Sequence, residues 1–337
     1  MTDFTPAWFL RGPHLQTIWG RIVRPRRLAK LRREVVETPD GDELVLDHLD
    51  GDASLRFLLL HGLEGSSNSV YMQGLLAAIA RHGFAATAIN FRSCALDARG
   101  RSLPNRRPRF YHSGETGDFD FVARLLAARE PAARRVATGA SLGGNVLLKW
   151  LGENPDQQLI AAAAAFSVPF DLGAGARHIT GIYVARFLRS LKRKVAELLT
   201  RFPEMRDRVD LAKTLRARTF VEFDDAATAP IHGFASADDY YARSSSLQFL
   251  SRITTPTLIL NAEDDPFLPR EALERARAAA SPAIEFRTTP CGGHTGFISG
   301  TLPWRCEYWA EERIVEWVLA LGAPASSPAG PAASRRR

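Results

Sequence analysis

Residues 134–154 read RRVATGASLGGNVLLKWLGEN, and no other stretch limits the possible folds as strongly. A short β-type run over 135–138 breaks at Gly139-Ala140-Ser141-Leu142-Gly143. It resumes as a helical pattern with Val146, Leu147, Trp150 and Leu151 on one face, and stops at Pro155. Strand, sharp turn and helix with a serine at the tip is the arrangement of a nucleophile elbow. Glycines two before and two after the serine let strand and helix approach closely, while the serine takes a strained backbone and presents its Oγ. A serine hydroxyl is a poor nucleophile unless a base takes its proton and an acid holds that base in the right tautomer. An acid and a histidine are therefore expected later in the chain, in that order.

The flanking sequence supplies a scaffold for such a turn. Residues 1–32, with Trp8, Phe9, Leu15, Ile18 and Trp19, are too apolar for a free tail and are expected to pack on the core. Residues 33–36 and 44–47 around Pro39-Asp40-Gly41 predict a β-hairpin. The continuous apolar run 55–60 predicts a strand buried on both faces. A helix carrying Met72, Leu75, Leu76 and Ile79 follows, then a strand over 85–91 and a helix with an acidic first turn, Asp118 and Asp120. After the elbow come a strand over 159–166, strands over 257–261 and 283–288 separated by a helix at 270–280, and a final amphipathic helix over about 305–321. Alternating strands and helices predict an α/β fold with a mostly parallel central sheet covered on both faces. Residues 171–251 interrupt the alternation with helices, including a basic amphipathic segment with Val184, Phe187, Leu188, Leu191, Val195 and Leu198 on one face. An insertion there would lie above the serine as a lid and acyl pocket. The expected organisation is a lead-in at 1–32, a core at 33–170 and 252–322, a lid at 171–251 and a disordered Pro/Ala/Ser tail at 323–337.

The strand over 257–261 runs into Ala262-Glu263-Asp264-Asp265-Pro266, which places carboxylates at the carboxyl end of a sheet strand. Asp264 and Asp265 are both candidate acids. His294, in Cys291-Gly292-Gly293-His294-Thr295, follows the last sheet strand, where chain order requires the base. His61 reads as a residue that orients its loop. His112 in Tyr111-His112-Ser113-Gly114 precedes the serine and is excluded by order. For an oxyanion, the backbone N–H of Leu142 and one from the loop after His61-Gly62, that of Leu63, are the expected donors.

Lys and Arg total 44 against 37 Asp and Glu, a net charge of +7. No aromatic-interleaved basic motif accompanies this excess, so nucleic acid is not an expected partner. The three cysteines, Cys94, Cys291 and Cys306, form neither a disulfide framework nor a metal spacing. Gly173-Ala174-Gly175 lacks the context of a dinucleotide fingerprint, and no P-loop occurs, so no cofactor and no metal are expected. The start of the chain lacks the pattern of a secretory signal, and no apolar run is long enough to span a bilayer, which predicts a cytoplasmic location.

Several segments together, GPHLQTI at 12–18, HGLEGSSNSVY at 61–71, YHSGETGD at 111–118, GASLGGNVLLKWLGE at 139–153, FDDAATAPIHGF at 223–234 with DYY at 239–241, and NAEDDPF at 261–267, resemble the YheT-like branch of the α/β-hydrolases. The animal relatives of that branch are the alpha/beta-hydrolase-domain proteins one and three. The resemblance spans about residues 6–322. It implies an α/β-hydrolase fold, Ser141, Asp265 and His294 as the triad, and esterase or lipase-like activity, often on short or medium acyl esters. The acid loop of the superfamily, D-P-x-x-P, favours Asp265 over Asp264. The expected substrate is an acyl ester or lipid. Alternatives are a phospholipase or acyltransferase using the same triad, with the basic lid touching a membrane surface, and a non-catalytic binding protein of the same fold. One departure is Ser93, where the family pattern has glycine.

Overall fold

The computed structural model describes residues 4–25 and 28–322. Its strands are β1 (Arg32–Glu37), β2 (Glu43–Leu49), β3 (Asp52–Leu60), β4 (Phe84–Asn90), β5 (Arg134–Ala140), β6 (Ala162–Phe166), β7 (Thr257–Ala262), β8 (Ile284–Thr289), β9 (Ile298–Leu302) and β10 (Arg305–Tyr308). The helices of the first half are α1 (Pro13–Val23), α2 (Val70–Arg81), α3 (Gly117–Arg129) and α4 (Leu142–Glu153). Between β6 and β7 lie α5 (Leu172–His178), α6 (Gly181–Arg201), α7 (Leu211–Arg216), α8 (Phe220–Phe223), α9 (Ala229–His232) and α10 (Ala237–Ser244). Then come α11 (Arg270–Ala279) and α12 (Trp309–Ala320).

The run Phe57-Leu58-Leu59-Leu60 shows why this sequence makes a two-faced sheet. Successive side chains of a strand point to opposite faces, and all four are fully buried. Phe57 and Leu59 pack with Leu76 and Ile79 of α2 and Ile314 and Val318 of α12. Leu58 and Leu60 pack on the other face with Phe119 of α3, Val146 and Trp150 of α4, and Leu273 of α11. With helices on both sides, neither face can afford a polar residue at these positions. The sheet order is β1-β2-β4-β3-β5-β6-β7-β8. From β4 to β8 every neighbour is parallel, while β1 and β2 close one edge antiparallel. The chain runs from β3 out to β4 and returns to β5 on the other side of β3. The strand order therefore reverses at β3/β5, and in open α/β sheets ligands bind beyond the carboxyl ends of the strands at such a point.

The helices between β6 and β7 have an apolar cluster of their own, including Val184, Leu188, Val195, Leu198, Phe220 and Phe223. Phe187 and Leu191 are partly buried against it. Lys194 lies among these residues and is itself buried, pairing with Glu64 at 2.6 Å across the loop after β3. Ser190 also donates to Glu64, and Tyr111 OH donates to it at 2.9 Å. Both charged side chains of the pair are almost wholly shielded, at 7% and 9% exposure, so removing one leaves the other buried without compensation. Lys194→Met is expected to cost about 3–5 kcal/mol, seen as a lowered thermal midpoint. Adding Glu64→Leu should recover much of the loss, and a neutral single variant would show that the pair contributes nothing.

Two local expectations are corrected. The final helix begins at Trp309, not near 305, because residues 305–308 pair with β9 as the second strand of a small hairpin. The second strand of the hairpin does not end at 47 but runs to Leu49, so that His48 lies inside β2, buried between Thr87 and Glu34. Within the lead-in, residues 13–23 are helical, and Ala7 N–H donates to Ile298 O at 3.0 Å. Ser93, where the family pattern has glycine, sits at φ 61°, the left-handed region in which glycine is the easy choice. Its hydroxyl meets Asn105 Oδ1 at 2.6 Å and anchors the conformation. The 323–337 tail lies outside the described residues.

Candidate active site

Ser141 stands between β5 and α4 at φ 53° and ψ −122°, a conformation costly for any residue with a Cβ. The two flanking glycines are required by contact. A Cβ on Gly139 would lie 2.4 Å from Gly143 O, and one on Gly143 would lie 2.5 Å from Leu60 O. Strand and helix therefore touch backbone to backbone, and the turn leaves only the serine side chain projecting past them.

His294 Nε2 lies 2.9 Å from Ser141 Oγ, and its Nδ1 lies 2.9 Å from Asp265 Oδ2 and 3.1 Å from Oδ1. All three residues are buried. With the Nδ1 proton directed at the carboxylate, Nε2 presents a lone pair to the serine hydroxyl, the tautomer a general base needs. Of the two adjacent carboxylates, Asp265 is the one on the histidine. It also accepts from Phe267 N–H at 2.8 Å, and the Phe267 ring stacks on the imidazole with centroids 4.0 Å apart. Asp264 turns away and accepts from Gly293 N–H at 2.8 Å. Burial pushes its carboxyl above the usual range.

The histidine loop is held by its backbone. Gly293 N–H goes to Asp264, His294 N–H to Thr17 Oγ at 2.9 Å, and Thr295 N–H to Ser167 Oγ at 2.9 Å. Three consecutive amides thus end on side chains from three separate parts of the chain. Gln16 completes the tie by bonding both the N–H and the C=O of Ile298. The sequence by itself singles out neither Thr17 nor Ser167. The segment GPHLQTI was the only signal for Thr17, and nothing in its composition tells which loop it supports.

The loop after β3 is fixed in a similar way. His61 Nε2 accepts from Phe91 N–H at 3.0 Å, so its proton is on Nδ1, which meets Gly62 O at 2.8 Å. Complete burial pushes its pKa down to about 4, so the ring stays neutral and bridges the ends of β3 and β4. Gly62 N–H is taken by Tyr71 OH at 2.8 Å, and Glu64 N–H by Tyr111 OH at 2.7 Å. Between them Leu63 N–H meets no protein acceptor among the described residues. Leu142 N–H belongs to the first turn of α4, where amides have no intrahelical partner. Leu63, Leu142, Ser141 and His294 all line one cavity of about 330 Å³, roofed by Ile179, Phe187 and Leu191 of the inserted segment. His112 is in its wall, but Nδ1 accepts from Gly114 N–H at 3.1 Å and burial lowers its pKa to about 3. No hydrogen bond joins it to Ser141. Among the described residues no cluster of three or more His, Cys, Asp or Glu is arranged to hold a metal ion, and no helix is long and apolar enough to cross a membrane.

The sequence pattern of the alpha/beta hydrolase fold matches residues 56–301. The chain belongs to the α/β-hydrolase family. Within that family it is 36% identical over 324 residues to YheT of Escherichia coli (strain K12), named as a candidate esterase, covering 94% of this chain and 93% of YheT. It is 30% identical to the phospholipase ABHD3 of Mus musculus, covering 90% and 74% of the two chains. It is also 30% identical to the monoacylglycerol lipase of Saccharomyces cerevisiae, covering 79% and 59%. These matches place this α/β-hydrolase in the YheT-like branch, among esterase, lipase and phospholipase-type relatives. The solved esterase Pf2001 of Pyrococcus furiosus shares the fold, with a TM-score of 0.55 at 16% identity over 88% of this chain and 92% of that one.

Proposed function

We propose that this protein is a serine hydrolase that cleaves carboxylic esters of short or medium acyl chains through an acyl-enzyme on Ser141. The observation that carries this is the unbroken chain of contacts from Asp265 through His294 to the Ser141 hydroxyl, opening on a cavity lined largely by apolar side chains. Ser141 Oγ attacks the ester carbonyl as His294 Nε2 takes its proton. The oxyanion forms between the N–H groups of Leu63 and Leu142. The alcohol then leaves with the proton from His294, and water repeats the sequence to release the acid. Asp265 steadies the imidazolium in both halves, and each oxyanion donor is worth on the order of a hundredfold in turnover.

A phospholipid substrate is the second reading. The ABHD3 relative is named a phospholipase. Ile182, which lines the cavity, is 75% exposed, and Arg186 lies one turn further along α6 in the same lining. An apolar and cationic rim suits an acyl chain whose phosphate remains outside.

Hydrolysis of p-nitrophenyl esters from acetyl to palmitoyl, beside fatty-acid release from phosphatidylcholine vesicles, tests both. Ester turnover with a short or medium optimum is expected. Faster release from vesicles than from any soluble ester would favour the second reading, and folded protein inert towards all of them would overturn both.

A further inference from the structure

The segments YHSGETGD, FDDAATAPIHGF and DYY, to which the triad assigns no role, meet at one wall of the catalytic cavity. Residues 220–232 form one continuous helical stretch whose middle, Asp224–Thr228, is a π-helical turn. Such turns are rare and frequently mark functional sites. Here the turn brings Asp224 and Thr228 into the lining of the cavity that holds Ser141 and His294. Tyr240 and Tyr241 of α10 line it as well.

Asp224 is an unusual wall residue. Thr228 Oγ donates to its Oδ1 at 2.5 Å and Tyr241 OH to its Oδ2 at 2.6 Å. A carboxylate offers about four acceptor positions, so two are left over. The side chain is deep in the protein yet keeps accessible surface where it borders the cavity. Burial raises its pKa to about 6, a cost that a filler residue would not incur. Tyr240 OH accepts from Ser113 N–H at 3.0 Å, a contact that does not use its proton, and has the Ser113 side chain as a further hydrogen-bond neighbour. Elsewhere the lining is made of groups such as Leu172, Ala176, Ile179 and Phe220. Acceptor positions on Asp224 and the Tyr240 hydroxyl therefore stand together in a wall whose near neighbours are largely apolar, a pairing that suits a group able both to donate and to accept, of which a hydroxyl is the smallest. An ammonium group could donate to the carboxylate but offers no acceptor to Tyr240.

We propose that Asp224, with Tyr240 and Tyr241, forms a hydroxyl-binding subsite, so that the ester cleaved at Ser141 carries a free hydroxyl on its acyl chain or on its alcohol. This rests on the ester-hydrolase reading above and narrows its substrate class. A site built to hydrogen-bond a hydroxyl discriminates against the analogue that lacks it, because its buried polar groups are then left unpaired.

The test compares matched esters with the full chain. For the acyl arm, p-nitrophenyl octanoate is set against the 3-, 7- and 8-hydroxyoctanoates. For the alcohol arm, propyl octanoate is set against 1-monooctanoylglycerol. In the wild type at least one hydroxylated ester should exceed its plain mate by about tenfold or more in kcat/KM. In Asp224→Leu that ratio should fall towards one, and in Tyr240→Phe it should fall in part. The second variant also serves if the first does not fold. The arm in which the preference appears identifies the part of the ester that carries the hydroxyl. No preference in either arm, or an equal loss on both members of a pair with the ratio intact, as a purely structural role would give, overturns the proposal. If the wild type hydrolyses no ester, the hydrolase reading fails. The subsite is then judged by calorimetric binding of the hydroxyoctanoates against octanoate, with tighter binding in the wild type lost in Asp224→Leu as the supporting result and equal binding as the contrary one.

Discussion

Ser141→Ala is expected to lower kcat for a p-nitrophenyl ester by about 10⁴–10⁶-fold, leaving folding and KM nearly unchanged. The methyl group fits where the hydroxymethyl stood, and the strained turn is kept by its glycine contacts, so the loss is chemical. The same logic predicts strong non-additivity. His294 Nε2 lies 2.9 Å from Ser141 Oγ, and in the proposed mechanism the two act as one unit. The double variant Ser141→Ala/His294→Ala should therefore be little worse than either single variant, the residual rate coming from the oxyanion donors and binding alone. Steady-state kinetics on the three variants checks this. Losses that multiply would mean that the two residues work independently.

The second large effect separates two neighbouring carboxylates. Asp265→Asn replaces the acceptor of the His294 Nδ1 proton by an amide that can itself donate, which favours the wrong tautomer, and should reduce kcat by about 10⁴-fold. Asp264→Asn keeps an amide oxygen for the Gly293 N–H, so it should stay within about tenfold of the wild type. The measurement is kcat and KM for both variants on the same ester. Retained activity in Asp265→Asn with loss in Asp264→Asn would reverse the assignment.

The contacts at the site show why some of it was legible in the sequence. Gly139 and Gly143 are dictated by backbone collisions within ten residues of Ser141 or with the adjacent strand, and such local requirements leave a short motif. Asp265 follows β7, whose fully buried run is visible as an apolar stretch, whereas His294 follows the half-buried edge strand β8 and is marked by chain order and its flanking glycines. The choice between Asp264 and Asp265 needed the resemblance, since both follow β7 and only rotation about the backbone decides which faces the histidine. The features that leave no mark in the sequence depend on pairing across the chain. Thr17 meets the His294 amide 277 positions away. Lys194 reads as one cation in a basic helix, yet it is buried because Glu64, 130 residues earlier, faces it. Residues 305–308 read as the start of a helix, and tertiary pairing with β9 overrides that preference. The π turn at Asp224 also gives no periodic signal, because it inserts a single wide turn into an otherwise ordinary helix.

The most direct test of the catalytic assignment is covalent labelling of the intact protein with a fluorophosphonate, followed by peptide mapping. One adduct on the peptide containing Ser141 is expected, formed rapidly in the wild type and slowed by orders of magnitude in His294→Ala. Folded wild-type protein that takes no label, or that is labelled at another residue at a rate indifferent to His294, would contradict the assignment of Ser141 as nucleophile and His294 as its base.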